Sequence, residues 1–154
     1  MSEIRTVVTF QSPAFNTSER KDYFINDCCY GDDLARWLIE RLRSRGVQTD
    51  AEPGQEDFGW YFGFRAGDTD YQFVIANRPA GGSDPAVWIA WLERKTGLLG
   101  SMFDGRRRGV QPDAVRAVHS VLSSSPQISS IRWYHKQDFD AGREENGQTE
   151  PTAA

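Results

Sequence analysis

Cysteine, histidine and methionine are scarce in this chain, with two of each among 154 residues. The cysteines, Cys28 and Cys29, are sequence neighbours, so they cannot staple distant loops, and a disulfide between them would close a strained ring. Reduced thiols in a cytoplasmic setting are the expectation. Neither the cysteines nor His119 and His135 have the C-x₂₋₄-C or H-x₃₋₅-H spacings that let one turn grip zinc. Glycine-rich phosphate loops, dinucleotide fingerprints, HExxH and GxSxG are also missing, so the sequence implies no cofactor and no common hydrolase or nucleotide chemistry.

Long apolar runs are lacking too. No stretch approaches the ~18 apolar residues that a membrane-crossing helix needs, and Met1 to Phe10 do not read as a secretion signal. Positive charge is not in excess. The net charge is −4, and residues 138–154, with five carboxylates against Arg143 alone, account for all of it. The remaining body is neutral and has no broad field for holding phosphate backbones, which disfavours nucleic acid as a partner.

Aromatic side chains are abundant, with five Trp, five Tyr and nine Phe, enough to build a core without staples. Arg5 to Gln11 alternates as a strand does. From Asp32 the residues Leu34, Trp37, Leu38 and Leu42 share one helical face, with carboxylates at the start and Gly46 placed to end it. Arg36 can pair along this helix with Asp32 and Glu40. Val47 to Glu52 reads as a short strand. Trp60, Phe62 and Phe64 alternate before a turn at 66–70 leads into Tyr71, Phe73 and Ile75, which predicts a hairpin. Val87 to Leu92 is apolar on both sides and belongs in the middle of a sheet or against a partner. A second helix starts near Pro112, with Val115, Val118, Val121 and Leu122 inward, and Ile131 to Tyr134 forms a last strand.

This order predicts an α+β two-layer sandwich, a mostly antiparallel sheet of five to six strands with two helices on one face. Residues 1–137 are expected to form a single domain, and residues 138–154 a disordered acidic tail. The pattern Phe24-Ile25-Asn26 through Cys29-Tyr30-Gly31-Asp32-Asp33-Leu34-Ala35, with Glu56-Asp57-Phe58-Gly59-Trp60 downstream, resembles a group of small uncharacterised bacterial proteins. That resemblance implies no activity and assigns no role to any residue.

Three chemical readings compete. Cys28 and Cys29 stand just before a helix N-terminus, which lowers a thiol's pKa, so a Cys-dependent enzyme or redox sensor is one. It needs His119 or His135 beside a thiol, and the pattern of His119 fits a hydrogen-bonded histidine at the edge of a core better. Arg106, Arg107 and Arg108 could rim a single-stranded nucleic-acid site. The favoured reading is a non-enzymatic protein-binding or regulatory domain, of the immunity or antitoxin kind, acting as monomer or homodimer. Its binding residues are expected at Phe15, Tyr23, Phe24 and Tyr30, in a long loop with no period to bury them, rimmed by Arg106 to Arg108.

Overall fold

Period-two alternation becomes strand, and three-to-four spacing becomes helix, almost throughout. The computed structural model describes residues 4–15, 30–56, 59–78, 87–95 and 110–152. The elements are β1 (Val7–Gln11), α1 (Asp32–Ser44), β2 (Gln48–Thr49), β3 (Gly54–Glu56), β4 (Gly59–Ala66), β5 (Thr69–Arg78), β6 (Val87–Arg94), α2 (Pro112–Ser123), β7 (Ser129–Tyr134) and α3 (Lys136–Asp140). A single 3₁₀ turn at Glu144–Asn146 follows. The strands form one open antiparallel sheet in the order β2-β4-β5-β6-β1-β7, with β3 also paired to β4.

The α+β class is therefore as expected, while the strand count among the described residues is seven rather than five to six. The additional strand is β3. Its sequence, Gly-Gln-Glu, has no strand propensity; it lies across Tyr61, and a Cβ on Gly54 would come within 2.4 Å of the Tyr61 ring. The missing side chain of Gly54 leaves the space that the Tyr61 ring fills.

Packing explains the rest. Along β4, Trp60, Phe62 and Phe64 are buried, and their neighbours on β5, Phe73 and Tyr71, form close ring pairs with them: Phe62 to Phe73 at 5.8 Å and Phe64 to Tyr71 at 5.7 Å. Trp88, Ala90 and Leu92 of β6, Val8 and Phe10 of β1 and Trp133 of β7 continue the same sheet face. All belong to one cluster with Leu34, Leu38 and Leu42 of α1 and Val115, Val118 and Leu122 of α2. The position of β6 between β5 and β1 accounts for its apolar residues on both sides. Asp32 and Asp33 lie in the first turn of α1, and Arg41 and Arg43 in its last, in the sense that favours the helix dipole. Arg36 pairs across the fold with Glu52.

Residues 138–152 depart from the expected disordered tail. Phe139 of α3 packs on Tyr134 at 5.4 Å. The segment then runs back along the edge strand, where Gln148 exchanges two backbone hydrogen bonds with Trp133, at 2.6 and 2.9 Å. Arg5 donates its N–H to the Pro151 carbonyl at 2.9 Å, Thr152 bridges Ile4, and Pro151 is buried. Composition concealed this because the contacts are few and spaced along the segment: Phe139 and Pro151 supply the apolar part, and backbone pairing to an edge strand the rest. The other side of β7 is irregular: its pairing with β1 shifts register between Thr9 and Gln11, and Ser130 has a φ of +55°. This is a β-bulge, with the unpaired residue in the left-handed region.

Leu38 is 1% exposed where α1 meets the aromatic sheet face. Leu38→Ala should therefore lower the unfolding free energy by about 2–5 kcal/mol, the usual range for a core leucine. Urea denaturation, read as a fall in midpoint at unchanged slope, checks it.

Candidate functional site

Helix α1 leaves one large side chain at the border of its buried stripe. Trp37 is only half-buried and sits beside the Leu34–Leu38 seam. Phe15, at the start of the long loop, packs tilted on it at 5.5 Å and edge-on against Trp88 at 6.4 Å. Tyr30, near the loop's other end, is half-buried against the same cluster. Arg41 follows Trp37 by one helical turn and places its guanidinium carbon 5.6 Å from the indole centroid, a cation–π contact.

Next to Tyr30, Gly31 has a φ of +135°, and a Cβ there would stand 3.3 Å from Trp60 and 3.4 Å from Trp88. This glycine lets the chain enter α1 directly over the core. Beneath it, Trp88 is fully buried. Its indole N–H and the side-chain amide nitrogen of its cross-strand neighbour Asn77 are buried donors without partners among the described residues. Nothing in the sequence marks such a pair.

Of the residues expected to form a binding surface, Phe15 and Tyr30 thus meet the same core cluster. Tyr23, Phe24 and Arg106 to Arg108 lie outside the described residues, as do Cys28 and Cys29. His119 is engaged elsewhere. Its Nδ1 accepts a hydrogen bond from the Trp133 indole N–H at 3.0 Å, and its Nε2 lies 3.2 Å from the Glu150 carboxylate. An imidazole held through both nitrogens is a core-edge structural group, as its position at the margin of the α2 stripe predicts. His135 stands as the residue capping the start of α3.

Two shallow depressions flank the β4–β5 hairpin. One, about 230 Å³, contains Asp50, Arg65, Asp70 and Lys95. Arg65 is bound to Asp70 at 3.0 Å and to the Asp68 carbonyl at 3.2 Å, while the Asp50 carboxylate accepts the Gly63 N–H at 2.8 Å. The other, about 450 Å³, lies between the hairpin turn and the start of α2, where the Tyr71 hydroxyl accepts the Gln111 N–H at 3.3 Å. Among the described residues there is no cluster of three or more His, Cys, Asp or Glu able to hold a metal ion. No described helix is long and apolar enough to cross a membrane. No family model, no curated protein and no solved structure matches this chain.

Trp133 is fully buried, and His119 is the partner of its only side-chain donor. His119→Ala should leave that N–H unsatisfied and reduce stability by about 1–3 kcal/mol. Chemical denaturation of the variant against the parent tests this, and an unchanged midpoint would show that the hydrogen bond contributes nothing net.

Proposed function

We propose that this chain is a non-enzymatic protein-binding domain with a regulatory role, comparable in kind to an immunity or antitoxin protein. It acts through the aromatic surface made by Phe15, Tyr30 and Trp37 with Arg41. The observation that carries this reading is the company these side chains keep. Phe15 and Tyr30 are both only half-buried and pack against one core cluster, Phe15 rests on the half-buried Trp37, and an exposed arginine lies over the Trp37 ring. Trp, Tyr and Arg are the side chains that most often anchor interfaces, since each presents a large, stiff or planar area that loses little entropy on contact. In the depression beside β2 and β4, Arg65 is paired with Asp70 and the Asp50 carboxylate holds the Gly63 N–H, so these groups serve the hairpin.

A tagged wild-type chain and a Phe15→Ala/Tyr30→Ala double variant, first shown to unfold at the same denaturant concentration, should be compared by affinity purification. The recovered partner is then titrated against both purified chains. The expected result is a dissociation constant at least ~10-fold weaker for the variant, the loss of ~1.4 kcal/mol expected when interface anchors are truncated. Equal binding by both chains would remove the surface assignment, and failure to recover any partner would remove the binding function.

A further inference from the structure

The segment after β7 encircles the edge strand, and its contacts change character as it goes round. On one sheet face Phe139 covers Tyr134, and Glu144 reaches Arg78 at the end of β5, at 3.0 Å. At the edge itself Gln148 takes both backbone groups of Trp133. On the helix side Glu150 meets His119 at 3.2 Å, and Thr152 meets Arg116 at 3.5 Å.

We infer that residues 138–152 are a displaceable strap, and that the seat beneath them is a docking surface for an extended acidic segment of a partner protein. This surface is separate from the Phe15–Trp37 patch and does not rest on that reading.

Charge complementarity carries the choice of partner. The strap and the two residues beyond it hold five carboxylates and one arginine, whereas the rest of the chain is neutral. On the seat, Arg78, His119 and Arg116 are met by the strap. Among the described residues, the Arg5 guanidinium makes a 3.4 Å contact to the Glu150 carbonyl from one of its terminal nitrogens, and its buried Nε has no partner. A guanidinium in that state has unused capacity for a carboxylate, which it binds better than a carbonyl.

The pairing is also incomplete. Gln148 and Thr152 touch the sheet as isolated bridges, not as a strand. A continuous extended segment would add ladder hydrogen bonds along β7, as in β-strand addition. The carboxylates that the strap presents to the seat, Glu144 and Glu150, are 49% and 67% exposed, so salt screens the Glu144–Arg78 ion pair.

The test uses the full chain with Glu144→Lys and Glu150→Lys together, which makes the contact with Arg78 repulsive and removes the carboxylate that faces His119. A fluorescent peptide of residues 138–154 serves as the probe, with the same peptide carrying both lysines as control. The expected result is at least ~10-fold tighter binding of the wild-type peptide to the variant chain than to the parent, weakened as salt rises and absent for the control peptide. Equal affinity for variant and parent would overturn the inference. Hydrogen exchange on the unmodified protein decides independently of how the variant behaves. The amides of Arg5, Trp133 and Gln148 should exchange at least ~10-fold faster than those of β5 and β6, because the strap opens without global unfolding. If all exchange together at the global rate, the segment is part of the core structure and no seat is available.

Discussion

Trp60, Phe62, Phe64, Tyr71, Phe73, Ile75, Trp88 and Trp133 all project from one face of the sheet, and no arrangement of the chain works that leaves this face in water. Its burial in one cluster with the apolar residues of α1 and α2 is the constraint from which the remainder follows. Burying such residues stabilises by about 1.5–3 kcal/mol for each large side chain, more than any single exposed ion pair in the molecule can supply. It also dictates the helices' character. Leucine and valine face inward, arginine and glutamate outward, and the dipole charges at the ends of α1 are a minor addition.

The same constraint creates the two regions that invite function. An aromatic core extends slightly past the helix that covers it, so Trp37 straddles the border, and Phe15 and Tyr30 fill in beside it. At the other margin, burying Trp133 carries its indole N–H into the interior with it. His119 satisfies that group and in turn meets Glu150. One buried ring thereby connects the core to the C-terminal segment through a chain of two polar contacts. Disturbing any member of that chain is felt by the others, since the indole donor has no water to turn to.

Most of the architecture was legible because it rests on periodicity. Both long helices, the β4–β5 hairpin and the central position of β6 follow from the spacing of Leu34, Leu38, Val115, Val118, Phe62, Phe73 and Trp88. What escaped notice depends on partners distant in sequence. β3 is a strand through its pairing with β4, and Gly54 leaves room for the Tyr61 ring beside it. Residues 138–152 are held by partners far away in the chain, among them Trp133, Arg78 and Arg5, and Arg36 finds Glu52 where its helical neighbours were nearer in sequence. For the proposed binding surface, Phe15 and Tyr30 stand out in the sequence as aromatics without a helical or strand period. Trp37 looked like one more core residue, since its half-exposed state depends on where the loop packs. The buried donors of Trp88 and Asn77, without partners among the described residues, leave no trace in composition at all.

The strand order has a consequence for how the molecule assembles. β4, β5 and β6 are consecutive in the chain and pair with their immediate sequence neighbours, so this three-stranded meander closes only short loops. β1 is different. It comes first in the chain but lies between β6 and β7, with Val7 opposite both Trp91 and Tyr134. Closing those long loops costs entropy before any contact repays it, which places the insertion of β1 late and makes the fold one of high contact order. Until then the free side of β6, apolar on both faces from Trp88 to Leu92, is an open template for the wrong strand. Crowded or hot conditions during synthesis should therefore penalise this protein through β6 sooner than through any edge of its finished sheet.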